Sequence, residues 1–177
     1  MANDKFRTQK FVLSLVEEDR STMRTPLSCK GLKVMIEIEQ PYAKPLPTLT
    51  EENRPFWDGA REGFLRMQQC RECSHIRFPI SHVCPECLSY EYEWKNLSGR
   101  GEVFAYIVYH KLYNKAFSKD IPYNVALVQL EEGPRMYSNV VGCSNDSVKV
   151  GDKLVVVFDP VTSEITIPKF RLVSDKP

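Results

Sequence analysis

The sequence predicts a mainly β protein, with helices on the N-terminal side, then a small metal-holding ribbon, then an OB-fold barrel. Three observations predict it. Two Cys-x-x-Cys pairs, Cys70-Arg-Glu-Cys73 and Cys84-Pro-Glu-Cys87, are separated by ten residues. Five short runs rich in β-branched and aromatic residues, punctuated by Gly and Pro turns, follow in about seventy-five residues. Before the cysteines, Phe56, Ala60 and Phe64 recur every four residues, which is a helical stripe.

The cysteines organise the rest. A Cys-x-x-Cys turn aims two thiolates at one point, and two such turns facing each other close a tetrahedral all-sulfur cage. Cys70, Cys73, Cys84 and Cys87 are therefore the predicted metal ligands. Such a cage holds zinc or a single iron. Nothing in the sequence points to electron transfer, so zinc is the expectation and iron the alternative. A closed four-sulfur shell has no open position, so the metal would hold the fold and would not activate water. Gly often follows the second Cys of a knuckle, where φ is positive. Ser74 and Leu88 stand there instead, which leaves the shape of the turns open.

Composition sets the frame. The chain has 177 residues, 42% hydrophobic and 27% charged, with a net charge of +1. This is an ordinary composition with no global pull toward polyanions. No apolar run is long enough to span a bilayer. Phe11-Val-Leu-Ser-Leu-Val16 is crowded by charges and lacks a cleavage site, so no signal peptide is read. A cytoplasmic protein is expected, where clustered cysteines mean metal before disulfide. Cys29 and Cys143 read as small packing residues.

In chain order, residues 1–46 are an arm and linker. Phe11, Val12, Leu15 and Val16 suit a short amphipathic helix, and Leu32, Val34, Ile36 and Ile38 alternate as a half-buried strand does. Pro41, Pro45 and Pro47 stiffen the linker. Residues 47–67 are the helical segment. Thr48 and Glu51 have capping-box spacing, while Asn53 equally suits an N-cap with Pro55 in the first turn. Trp57 and Met67 widen the stripe, and Gly59 and Gly63 weaken the helix or admit another backbone. Residues 68–95 are the ribbon, left by an alternating strand from Leu88 to Trp94. His75 and His82 lie between the knuckles and read as loop residues, since four sulfurs already fill the shell.

Residues 96–173 are the barrel. Its strands are placed at 101–110, 124–130, 136–141, 153–158 and 164–170, with a hairpin turn at Glu132-Gly133-Pro134. The segment Lys111 to Pro122 is a long insertion, of the kind that sits at a barrel mouth.

No catalytic motif appears: there is no Gly-x-Ser-x-Gly, phosphate loop, His-Glu-x-x-His or dinucleotide fingerprint. No catalytic residue is predicted, and activity by this chain alone is not expected. Single-stranded nucleic acid is the alternative ligand for such a barrel, but charge argues against it. Positions 68–95 carry three basic and four acidic residues, to which a zinc tetrathiolate adds two negative charges, and 96–173 carry nine basic and eight acidic. A phosphate-tracking groove needs a basic excess. A ligand with only a few phosphates needs few cations, and Arg77, Arg100, Lys169 and Arg171 are the candidates to bind one such as coenzyme A. Taken singly, each is more simply a surface charge.

The order of motifs carries a resemblance. Pro55-Phe-Trp-Asp-Gly59 leads to Gly63-Phe-Leu65 and the paired knuckles. Ser98-Gly-Arg-Gly-Glu-Val103, Pro122-Tyr-Asn-Val-Ala-Leu-Val128 and Glu131-Glu-Gly-Pro-Arg135 follow, and then Gly151-Asp-Lys-Leu-Val155 and Pro168-Lys-Phe170. Over roughly 47–172 this resembles the acyl-CoA-associated OB-fold proteins, which join a helix, a rubredoxin-like zinc ribbon and an OB-fold. The resemblance implies a non-catalytic subunit of a thiolase-like complex that supports the partner's active site and helps hold the CoA part of an acyl-CoA. A thiolase acting on benzoylsuccinyl-CoA is one instance. It implies the four cysteines as zinc ligands, and chemistry on the partner's own cysteine and histidine. Chains of that family typically begin near the helix, and residues 1–40 depart from that pattern: they read equally as an arm that covers the main body or docks on a partner and as a partly ordered extension.

Overall fold

The computed structural model describes residues 42–173. The helix and strand expected before residue 40, and Cys29, lie outside them. The described part is one unit, mostly β, in the order helix, ribbon, barrel.

Helix α1 runs from Arg54 to Glu62. Pro55 sits in its first turn, where a missing N–H costs nothing. Asn53 stands at the N-cap but spends its side chain on the preceding turn, accepting from the Thr50 N–H and donating to the Thr48 carbonyl. The helix is shorter than its stripe suggests. Gly63, at φ +87°, caps it in the left-handed conformation, and the Phe64 N–H turns back to the Gly59 carbonyl. Phe64 is left half exposed, and Met67 belongs to the next strand. Gly59 faces that strand at close range, since a Cβ there would lie 2.8 Å from the Arg66 Cβ.

The ribbon is a three-stranded antiparallel sheet in the order β2-β1-β3, with β1 Leu65–Cys70, β2 Ile76–Arg77 and β3 Tyr92–Leu97. Strand β3 starts later than the Leu88–Trp94 alternation predicts. Leu88 and Ser89 are consumed by the second knuckle, whose Cys84 N–H reaches the Ser89 carbonyl, and Tyr90 stays exposed.

The barrel has five strands: β4 Arg100–Tyr109, β5 Tyr123–Leu130, β6 Arg135–Ser138, β7 Lys153–Pro160 and β8 Thr166–Leu172. All sheet pairings are antiparallel, in the order β6-β5-β4-β7-β8. The sheet curls until Val140 bridges Phe170 in parallel, drawing the two ends together. This is the five-stranded OB-fold barrel the sequence predicts, and the structure shows it partly open. The Glu132–Pro134 hairpin turn forms where expected, with the Leu130 N–H on the Pro134 carbonyl.

Ribbon, helix and barrel share one core. Phe56, Leu65, Met67, Ile76 and Leu97 belong to the same buried cluster as Val103, Val128, Leu154 and Phe170. The ribbon is thus joined to the barrel by packing as well as by chain.

Candidate metal centre and its surroundings

The two knuckles repeat one local geometry. In the first, the Ser74 N–H returns to the Cys70 carbonyl at 3.0 Å, and the Cys70 N–H bonds to the His75 carbonyl at 2.9 Å. In the second, Leu88 returns to Cys84 at 3.0 Å, and Cys84 bonds to Ser89 at 2.9 Å. Ser74 and Leu88 have φ of +61° and +62°. They adopt the conformation the turn demands without the glycine that takes it most easily.

All four Sγ atoms lie within 4.8 Å of one another. Cys70 and Cys87 approach to 3.5 Å, and Cys73 and Cys84 to 3.6 Å. These separations are far too long for a disulfide, at about 2.05 Å. They match the edge of a tetrahedron with metal–sulfur bonds of about 2.3 Å, which is about 3.8 Å. Cys70 and Cys84 are fully buried, while Cys73 and Cys87 face out. The thiols also divide in acidity. Cys70 is lowered to about 6, chiefly by the Cys73 N–H, whereas Cys73 is pushed up to about 12. For Cys73 the His75 N–H acts downward, but local desolvation of the sulfur within the cluster and the three neighbouring sulfurs outweigh it, although the residue as a whole is exposed. Four thiols this close cannot all ionise by themselves. A divalent cation among them removes the conflict, so the donor set fits a zinc ribbon.

His75 contributes its backbone to the first knuckle, and His82 points its Nε2 at the Glu52 carboxylate, 3.0 Å away. Cys143 packs half-buried against the core.

The four predicted cations divide into two groups. Arg100 and Arg171 both lie opposite Val155, on either side of β7, and Lys169 lies two residues from Arg171. These three therefore share the outer face of the barrel. Lys169 is paired with Asp159 at 2.6 Å. Arg77 is elsewhere, buried on the ribbon. Its Nε donates to Gln68 Oε1 at 3.0 Å, and its guanidinium lies 4.9 Å from the Tyr92 ring centre.

Sequence reasoning missed Gln68, which is fully buried and also accepts from the Ser81 N–H. Its two-residue offset from Cys70 was the available signal. It also missed a run of rings along the insertion, Tyr113, Tyr109, Tyr123 and Phe117, with neighbouring centroids 5.2 to 6.1 Å apart.

Comparison with known proteins places this geometry. Two family models match end to end: the ChsH2 rubredoxin-like zinc ribbon domain over residues 57–93, and the ChsH2 C-terminal OB-fold domain over residues 94–159. A probable enoyl-CoA hydratase alpha subunit of Thermomonospora curvata is 34% identical over 128 residues, 72% of this chain and 40% of that protein. A DUF35 domain-containing scaffold protein of Methanothermobacter thermautotrophicus is 37% identical over 101 residues, 56% of this chain and 75% of that one. The benzoylsuccinyl-CoA thiolase subunit BbsA of Thauera aromatica is 28% identical over 82 residues, 46% of this chain and 55% of that one. Among solved structures, a chain of the Ltp2–ChsH2(DUF35) aldolase superposes with a TM-score of 0.65 at 34% identity, covering 72% of this chain and 98% of that one. The fold and site define a zinc-ribbon and OB-fold protein. Within that class, the chain belongs to the ChsH2, or DUF35, family. It spans less than half of the Thermomonospora protein. Among the described residues, no helix is long and apolar enough to cross a membrane.

Proposed function

We propose that this chain is a non-catalytic, zinc-binding subunit of an acyl-CoA-processing complex. Its partner is a thiolase-family enzyme, and its work is to support the partner's active site and help hold the CoA moiety. The observation that carries this reading is the kinship with subunits of acyl-CoA enzymes, a benzoylsuccinyl-CoA thiolase and an enoyl-CoA hydratase among them. We place the protein in the cytoplasm, where thiolates stay reduced and metal-competent.

Zinc sits on Cys70, Cys73, Cys84 and Cys87 and holds the ribbon closed. Phosphates of the ligand meet the exposed face that carries Arg100, Lys169 and Arg171. Arg77 stands outside this set, because its Nη atoms are sealed from solvent.

The test is capture of the tagged protein from extract of its source, with mass spectrometry of what co-purifies. A near-stoichiometric thiolase-family protein supports the reading. A hydratase or aldolase instead would keep the subunit role and replace the partner. The isolated chain is expected to show no thiolase activity, and robust turnover by it alone would refute the assignment. Addition of CoA is expected to raise the melting temperature. The insertion's ring stack favours one second reading, a single-strand nucleic-acid surface. A salt-sensitive gel shift without any response to CoA would select it.

A further inference from the structure

We propose that Arg77 is the buried counter-charge of the metal–thiolate centre and strengthens its hold on zinc. The inference rests on the reading of the four cysteines as a zinc site.

Arg77 is the only charged side chain buried among the described residues, at 3% exposure. Its Nε is satisfied by Gln68, but Nη1 and Nη2 have no hydrogen-bond partner among the described residues. A guanidinium cannot shed its proton to escape burial, so an unpaired one inside a protein is costly. The Tyr92 ring offsets part of that cost. The rest calls for negative charge close by.

Strand register says where it is. Arg77 lies directly opposite Gln68 on β1, and Gln68 is two residues before Cys70. Tyr92 lies directly opposite Cys70 on β3. Opposed residues, and residues two apart on a strand, share a face. Arg77, Gln68, Cys70 and Tyr92 therefore occupy one face of the ribbon sheet. The guanidinium stacks on the ring that sits across from a ligand cysteine.

A divalent ion with four thiolates carries two net negative charges. The knuckles add Glu72 and Glu86 and offer only the exposed Arg71, which leans toward Glu93 at 3.8 Å. The knuckles' own backbone N–H groups donate to the sulfurs, and Arg77 is the one buried side-chain cation among the described residues that can add to them. The competing source of an anion is a ligand in the cleft of about 760 Å³ that Arg77 lines with Ser81, Gln129 and Arg135. The sealed Nη atoms make that the poorer match, because such a ligand must touch them. A field acting through a low-dielectric interior needs no contact.

The experiment uses the full-length chain as wild type, Arg77→Met and Arg77→Lys. Zinc affinity is measured by competition with a chromophoric chelator, and the cobalt(II)-substituted forms by their thiolate-to-metal charge-transfer band. Removing a cation whose field reaches the sulfurs raises the energy of their lone pairs. Arg77→Met is therefore expected to weaken zinc binding about 10- to 100-fold and move the band to longer wavelength. Arg77→Lys keeps the charge and is expected to stay close to wild type in both. A residue that only packs would not move the band. Should Arg77→Met fail to fold, Arg77→Gln is held to the same criteria. Wild-type affinity and band position in the neutral variant would overturn the proposal, as would a lysine variant as weak as the neutral one. Loss of the CoA response with zinc affinity intact would also overturn it, by moving Arg77 to the cleft. A wild type that binds no zinc would instead overturn the underlying metal reading.

Discussion

Ser74 and Leu88 hold a left-handed backbone at equivalent points of the two knuckles, and each accepts a strain of about 1–2 kcal/mol to do so. Glycine removes that strain but adds about 0.5–1 kcal/mol of unfolded-state entropy. Leu88 is mostly exposed, so little packing is lost there. Leu88→Gly is expected to stabilise the zinc-loaded protein by roughly 0.5 kcal/mol, read as a small rise in urea midpoint; clear destabilisation would show that the side chain packs on something. Cys73→Ser leaves three thiolates and is expected to lose zinc and loosen the ribbon, so a zinc-free variant with wild-type melting would count against a structural metal. Tyr106 gives the pH expectation. Burial raises its hydroxyl above the ordinary value, helped by Cys143 and Asp146, and the hydroxyl donates to the Asn145 carbonyl. A raised folded value means stability fully present below about pH 10 and lost as the pH climbs through that folded value. Tyr106→Phe should flatten the alkaline limb of a stability-against-pH curve. At this scale the clustering of the four cysteines was legible, because a tetrahedral site fixes both residue type and spacing. Arg77 was not legible in the same way. One arginine in a short loop-like stretch reads as surface, and only its opposition to Gln68 puts it inside.

Elements follow a different logic, because two periods compete in the same stretch. Phe56, Ala60 and Phe64 fit a helix, yet Leu65 and Met67 already alternate as the first residues of β1, both fully buried. Gly63 decides the boundary by taking the left-handed cap. The five barrel strands were legible because each has an alternating pattern between turn residues, as in the strict inside–outside burial of Tyr123 to Leu130. Their closure was not, since it depends on one parallel bridge between segments thirty residues apart. The turn from Ser98 to Gly101 has a geometric reason of its own. Gly101 sits between Leu130 and Leu154 in the middle of three strands, and a Cβ there would lie 2.5 Å from the Gln129 carbonyl oxygen. That atom is backbone in a paired strand and cannot rotate away. Gly101→Ala is expected to cost about 1–3 kcal/mol, measured by chemical denaturation. An unchanged midpoint would mean the strands separate easily at this point.

The whole described unit hangs on a core that ribbon and barrel share, and this sets how it should melt. If the ribbon were a separate module, zinc would stabilise only its own short strands. Instead Leu65, Met67 and Ile76 from the ribbon pack into the cluster that contains Val103, Leu154 and Phe170 from the barrel. Opening the ribbon therefore exposes one side of the barrel core as well. A metal held at a thousandfold excess over its dissociation constant contributes about 4 kcal/mol, and a unit of this size shifts by roughly 3–5 °C per kcal/mol. Chelation of the zinc is thus expected to lower the melting temperature by on the order of 10–20 °C, in one transition seen alike by calorimetry and by circular dichroism. Two transitions, with the barrel's unchanged after chelation, would show that the shared cluster does not couple them. A single shifted transition would mean that loss of the metal is felt across the barrel, including the outer face that carries Arg100, Lys169 and Arg171. The proposed CoA response is then expected to depend on zinc occupancy, and chelation before addition of CoA should abolish the rise in melting temperature.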